Sequence, residues 1–163
     1  MNGKLDVNVW AVGDVAALPL ATRGGALGRV PHVAAARAMA AHAVKSMLDP
    51  AGTPNLLLVP SLYLRAFEGG ARPVSWQLHG AADRRDLPSD AEFVAVGEMD
   101  PKLAGFWRWC GRVFAVFLEG GSPEENAVLP RIAAARPAAS AAALRAAGSP
   151  SAALSMLAES LAS

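Results

Sequence analysis

The sequence predicts an α+β protein with a mainly antiparallel sheet, and four observations carry that prediction. Hydrophobic residues make up 53% and charged residues 18% of the 163 residues, so a substantial core can be buried. Apolar and polar residues alternate with a period of two in residues 74–79. The predicted strands from there to residue 118 follow one another through short connections, which is typical of antiparallel pairing. Helical patterns stand on either side of this region.

Before the sheet, the sequence predicts one strand and one helix. Residues 7–12 are apolar and predict a short buried strand that ends at Gly13 and Asp14. Residues 18–29 contain one proline and three glycines and predict a loop. Good helix formers over residues 32–48 predict a helix with Pro31 at its first position.

That helix should pack through a face of small residues and end at a domain boundary. The face is expected at five positions, which are Val33, Ala36, Ala40, Ala43 and Met47. The turn-forming residues 49–52 end the helix, so the first domain is predicted to cover residues 1–52.

The second domain is predicted to cover residues 53–137. Four strands are expected, at residues 74–79, 92–98, 104–109 and 112–118. Cys110 and Gly111 form a tight turn between the last two. Ser122, followed by a proline and by Glu125 three positions on, predicts a capping box and a helix over Pro123–Ala135. Residues 138–163 are alanine-rich and predict either two helical segments or a mobile tail.

Composition excludes several classes of function. The 15 basic and 14 acidic residues leave a net charge of +1, which offers no electrostatic basis for binding nucleic acid or an anionic membrane. The single cysteine, Cys110, excludes an intramolecular disulfide. His42 and His79 have no metal-ligand spacing to other candidate ligands, so no metal site is predicted. No apolar run reaches the ~20 residues of a membrane span. An intracellular, soluble protein is expected, in the cytoplasm or an organelle lumen.

Four places could carry chemistry. Gly13 and Asp14 end a predicted strand. The Asp14 carboxylate could bind a ribose or ribityl hydroxyl, and Gly13 would let the ligand approach the backbone closely. A simple turn explains the two residues equally well. His32 lies at a helix start that favours negative charge, or it only caps the helix. Arg37 could bind an anionic substrate, or it could be a solvated arginine on the helix surface. Tyr63, the only tyrosine, fits a substrate contact or a core residue with a bonded hydroxyl.

The order of five segments resembles one enzyme family. VWAVGDVA, RVPHVAAAR, VPSLYLRAF, VSWQLHG and FLEGGSPEEN follow one another as in the monodehydroascorbate reductases, and the resemblance covers about residues 7–137. It implies that residues 1–52 form the end of an FAD-binding domain and residues 53–137 form the C-terminal reductase domain, with residues 138–163 as a tail. The remaining FAD and NADH domains would lie upstream.

The resemblance also implies roles for individual residues. Asp14, with Gly13, would contact the ribityl chain of FAD, and the backbone around His32 would face the pyrimidine end of the flavin. Arg37 and Tyr63 match positions that contact the ascorbyl radical. No residue of this chain is assigned a catalytic role, and NADH is implied as the co-substrate.

Two other interpretations stay open. The enzyme could use a ferredoxin or a quinone as its acceptor. Alternatively, the chain could be a non-catalytic interaction module, because it has no G-x-G-x-x-G motif or other glycine-rich phosphate loop of its own.

Overall fold

The computed structural model describes residues 9–20, 26–56, 58–69, 73–81 and 87–162. The chain divides into two compact units, Met1–Leu58 and Val59–Ser163. The first unit contains a 3-10 turn at Gly13–Val15 and three regular elements, which are β1 (Leu18–Pro19), β2 (Leu27–Gly28) and α1 (Val33–Leu48). The second unit contains five strands and three helices, which are β3 (Ser61–Ala66), β4 (Val74–Gly80), β5 (Glu92–Glu98), β6 (Lys102–Trp109), β7 (Arg112–Glu119), α2 (Pro123–Ala135), α3 (Ala141–Ala146) and α4 (Pro150–Glu159).

The described part of the predicted first strand is not a strand. Residues 9–12 have no regular secondary structure and pair with no strand of the described residues, and residues 7 and 8 lie outside the described residues. Val9 is 70% exposed, and Trp10 and Val12 are also exposed. A strand needs a neighbouring strand for its backbone hydrogen bonds, and none of the described residues supplies one here. The expected loop at residues 18–29 instead contains the short antiparallel ladder of β1 and β2, apart from residues 21–25, which are not described.

Helix α1 forms where it was predicted, but a different face is buried. Ala35, Met39 and Ala43 are its buried residues, whereas Val33 and Met47 are exposed. The predicted face was therefore wrong at Val33, Ala40 and Met47, which are exposed, whereas Ala36 is half-buried and Ala43 is buried. The reason is that a small core packs against Ala35 and Met39, each one position before a predicted face residue. That core joins α1 to the loop residues, and its buried members are Leu20, Val30, Ala35, Met39 and Leu58.

The helix also begins later than predicted, at Val33. His32 is the N-cap, and its Nδ1 accepts a hydrogen bond from the backbone N–H of Ala34 at 3.1 Å. Pro31 therefore precedes the cap and does not occupy the first helical position. The fixed φ of Pro31 still limits the backbone conformations available just before the helix.

The second unit is a five-stranded antiparallel sheet in the order β3-β4-β7-β6-β5. Side chains at alternate positions point to opposite faces. One face packs on the helices, and its buried residues include Val94, Phe106, Val116 and Leu118. The predicted α+β class with a mainly antiparallel sheet is confirmed.

All four predicted strands are present within one or two residues, and one strand was missed. β3 has exposed or half-exposed residues throughout and lies at the edge of the sheet. Trp76 and Trp107 are partly buried, whereas Trp109 is 45% exposed near the β6–β7 turn. Cys110 and Gly111 form that turn with φ of 48° and 74°, as a tight hairpin requires.

Helix α2 has the predicted bounds and the predicted cap. The Ser122 hydroxyl accepts from the Glu125 backbone N–H, and the Glu125 carboxylate accepts from the Ser122 backbone N–H at 2.7 Å. Residues 138–163 were predicted to form either helical segments or a mobile tail. The structure contains two helices here, α3 and α4, and both contribute to the core. Their buried leucines are Leu144, Leu154 and Leu157.

None of the helices in the described residues is long and apolar enough to cross a membrane.

Candidate functional site

The turn at Gly13–Val15 lies against the first half of α1. Gly13 has φ of 76°, a conformation that glycine adopts without strain. A β-carbon at Gly13 would lie 3.8 Å from the β-carbon of Ala36, which is ordinary van der Waals contact. Glycine is therefore required here by backbone conformation and not by lack of space. The neighbouring Asp14 presents its side chain to solvent.

The N-terminus of α1 is a polar end with no acidic residue in its first turn. The His32 ring caps the N–H of Ala34, and the His32 carbonyl accepts from the N–H of Ala36 at 3.0 Å. The N–H groups of Val33 and Ala35 have no partner in the helix itself, because the first turn of any helix leaves such donors unbonded. This end of a 16-residue helix therefore favours an anion or a negatively polarised group.

Arg37 lies on α1 directly after Ala36, the residue that contacts Gly13. Its side chain is exposed. Among the described residues, none forms a hydrogen bond or ion pair with its guanidinium. The structure thus brings four of the five predicted site residues, Gly13, Asp14, His32 and Arg37, into one unit around the first half of α1.

Tyr63 belongs to the second unit, in the edge strand β3. Its side chain is 47% exposed, so the interpretation of Tyr63 as a buried core residue is wrong. No described residue forms a hydrogen bond with its hydroxyl. The phenol is therefore available to a ligand or to solvent.

A cavity of about 650 Å³ lies along the other part of α1 and was not anticipated. Its volume is in the range of small-molecule sites. The helix contributes residues at spacings of three and four, which are Met39, His42, Ala43 and Ser46. The remaining wall comes from residues before and after the helix, among them Trp10, Val12, Leu18 and Leu56. The helical spacing of Met39, His42 and Ser46 is the sequence signal that could have identified this surface.

The histidines do not form a metal centre with other candidate ligands. Within the described ranges, no group of three or more His, Cys, Asp and Glu side chains is close enough to hold a metal ion. His42 lies beside the cavity of the first unit, and His79 lies in β4 within hydrogen-bond range of Gln77.

Comparisons with known proteins agree on one family. Residues 59–150 match the family profile described as "Monodehydroascorbate reductase 3-like, C-terminal domain". The chain is 43% identical over 131 residues to the chloroplastic/mitochondrial monodehydroascorbate reductase of Arabidopsis thaliana, covering 79% of this chain and 25% of that protein. It is 39% identical over 136 residues to monodehydroascorbate reductase 1, peroxisomal, of Oryza sativa subsp. japonica, covering 77% of this chain and 26% of the relative. The chain therefore spans about a quarter of the length of these relatives.

Two solved structures share this fold. The crystal structure of Fdr9 superposes with a TM-score of 0.62 and 25% identity, over 89% of this chain and 34% of that one. A crystal structure of the covalent putidaredoxin reductase–putidaredoxin complex gives a TM-score of 0.67 at 20% identity, over 94% of this chain and 33% of that one. The second likeness concerns the fold alone.

Proposed function

We propose, because this chain belongs to the family of monodehydroascorbate reductase 3-like C-terminal domains, that it is the C-terminal portion of a flavoprotein reductase. Electrons would pass from NADH through FAD to the ascorbyl radical. The observation that carries the proposal is the match of residues 59–150 to this domain, joined to 43% identity with a named reductase. The nucleotide-binding parts of the relatives would have to complete the enzyme, since the chain matches only about a quarter of them.

The described residues of the first unit fit one end of a flavin. The uncapped N–H groups at the start of α1 would face the pyrimidine end, and the helix dipole would stabilise negative charge there. The exposed Asp14 carboxylate can accept a hydrogen bond from a ribityl hydroxyl, and Gly13 keeps the neighbouring backbone free of a side chain. When bound, FAD would supply the conversion of two-electron hydride chemistry into single-electron transfer.

Arg37 and Tyr63 are the proposed substrate contacts. Arg37 has an exposed guanidinium without a described partner, so it can hold an anion such as the ascorbyl radical. The exposed Tyr63 hydroxyl of the second unit can donate a hydrogen bond to an oxygen atom of a ligand. The task of these side chains would be to bind and orient the acceptor, which is the main contribution a protein makes to cofactor chemistry.

The domain assignment belongs to the same proposal. Residues 1–52 would be the end of the FAD-binding domain, residues 53–137 the C-terminal reductase domain, and residues 138–163 an alanine-rich extension. An intracellular location, in the cytoplasm or an organelle lumen, is also proposed, since the relatives named above are chloroplastic/mitochondrial and peroxisomal.

A chimera tests the proposal. The matching segment of the Arabidopsis thaliana relative is replaced by this chain, and flavin content, reduction by NADH and reoxidation by three acceptors are measured. The expected result is a flavin-loaded protein that the ascorbyl radical reoxidises faster than a quinone or a ferredoxin does. Faster reoxidation by the quinone or the ferredoxin would replace the proposed acceptor. A folded chimera without flavin would favour the non-catalytic interaction module.

A further inference from the structure

Glu119 is the buried charged side chain of the described residues, with 6% of its surface exposed. It lies at the end of β7, directly opposite Trp76 on one neighbouring strand and Leu103 on the other. Paired residues share a face, so all three point away from the face that carries Leu118 and the helices. The Trp76 indole N–H donates to Oε2 of Glu119 at 2.5 Å. Among the described residues no other hydrogen bond or ion pair reaches this carboxylate.

One neutral donor is a poor environment for a buried carboxylate. Removing an ionised group from water is costly unless opposite charge and further hydrogen bonds replace the lost solvation. Buried polar atoms in native proteins nearly always have a partner, and an oxygen without one calls for an explanation. Within the part of the chain that the structure describes, Oε1 of Glu119 is such an atom.

A cavity of about 240 Å³ lies beside this carboxylate. It is enclosed by the start of β4, the β5–β6 connection and the end of β7. Its lining residues are Pro73, Val74, Met99, Asp100, Pro101, Glu119 and Gly120. Among the described lining residues there is a second carboxylate, Asp100, which has an interaction of its own, and there is no basic side chain. The walls are therefore apolar and acidic at once.

We propose that this cavity binds the guanidinium of an arginine side chain presented by another protein. The cation would complete the solvation of Glu119 through Oε1, while the indole of Trp76 keeps Oε2. A guanidinium is flat and weakly hydrated, so it tolerates walls such as Pro73, Val74 and Met99 better than the strongly hydrated ammonium of lysine does. The site does not depend on which electron acceptor the enzyme uses, because it involves none of the residues proposed for flavin or substrate.

The first test is the stability of the purified 163-residue chain. Glu119→Gln keeps the shape of the side chain and an acceptor for the Trp76 indole but removes the buried charge. If the carboxylate lacks its cation, the variant should unfold about 2–4 °C above the wild type without ligand. A lower unfolding temperature would show that the chain itself already satisfies the charge, and this would overturn the proposal. Glu98→Gln, which removes an exposed carboxylate at the end of β5, should leave the midpoint unchanged.

The second test is a titration with Nα-acetyl-L-argininamide, followed through the indole N–H resonances of the four tryptophans. The Trp76 resonance, identified by its loss in Trp76→Phe, should shift and saturate at about millimolar ligand, a typical affinity for one small contact. The response should persist in Glu98→Gln and disappear in Glu119→Gln. Three results would each overturn the assignment to a protein-borne arginine. They are the absence of a saturable shift, an equal shift with the neutral citrulline analogue, and tighter binding of free L-arginine.

Discussion

The ammonium of Lys102 on β6 lies 2.8 and 2.7 Å from the two carboxylate oxygens of Glu125 in the first turn of α2. The same carboxylate accepts from the Ser122 backbone N–H at 2.7 Å and from the Ser151 hydroxyl of α4 at 2.6 Å. One side chain therefore closes a helix cap and links the sheet to two helices. Burial alone would raise the pKa of Glu125, but the hydrogen bonds from Lys102, Ser151 and Ser122 and the charge of Lys102 lower it from 4.5 to about 2.

The lowered pKa of Glu125 predicts acid sensitivity. A carboxyl whose folded pKa lies below its unfolded value stabilises the fold above pH 4.5, and this contribution is lost as the pH falls from about 4.5 towards 2. Glu125→Gln should lower the free energy of unfolding at pH 7 by about 1.5–3 kcal/mol and flatten its dependence on pH in that window. Urea unfolding at several pH values measures both. Glu68→Gln, which breaks the exposed pair with Arg65, should behave like the wild type. Parallel pH profiles for wild type and Glu125→Gln would contradict the assigned role.

The last two helices are predicted to be part of the stable unit. Leu154 of α4 is 2% exposed and packs in the core with Leu129 and Ile132 of α2. Leu154→Ala should lower the free energy of unfolding by about 2–5 kcal/mol, because it leaves a cavity in that core. Leu48→Ala, at an exposed position at the end of α1, should change it by less than about 0.5 kcal/mol. Denaturant unfolding of both variants measures these changes. An unchanged free energy of unfolding for Leu154→Ala would mean that α4 is not part of the cooperative unit.

The isolated chain is predicted to bind FAD weakly. Asp14 and the start of α1 provide contacts to one end of the flavin only, and the chain has no glycine-rich loop for the pyrophosphate. Isothermal titration should give a dissociation constant weaker than about 1 µM, whereas the chimera should retain FAD through purification. Tight binding by the isolated 163 residues would show that the site is more complete than proposed.

The elements with a local chemical signature were predictable from the sequence, and those set by packing were not. The capping box of Ser122 and Glu125 fixed the start of α2, because both groups that satisfy the helix end lie within four residues. β3 was missed because an edge strand exposed on both faces has no alternating pattern. Residues 9–12 have the composition of a strand, but composition does not supply the neighbouring strand that pairing needs.

The candidate site was predictable to a similar degree. Gly13 could be located because a strand-like segment ends there, and His32 because a helix begins there. The pairing of Glu119 with Trp76 could not be located, since the two residues are 43 positions apart and meet only through the register of β4 and β7. The family resemblance, and not the pattern of charges, pointed to Arg37.

The proposed binding of the ascorbyl radical by Arg37 is tested by measuring kcat/KM for two acceptors in the chimera. Arg37→Ala removes a charge-assisted contact worth about 1.5–3 kcal/mol, so kcat/KM for the radical should fall about ten- to a hundredfold. The kcat/KM for a neutral quinone and the rate of flavin reduction by NADH should be nearly unaffected. Arg37→Lys should retain part of the activity with the radical because it retains the charge. An equal loss with both acceptors, or no loss with either, would contradict the claim.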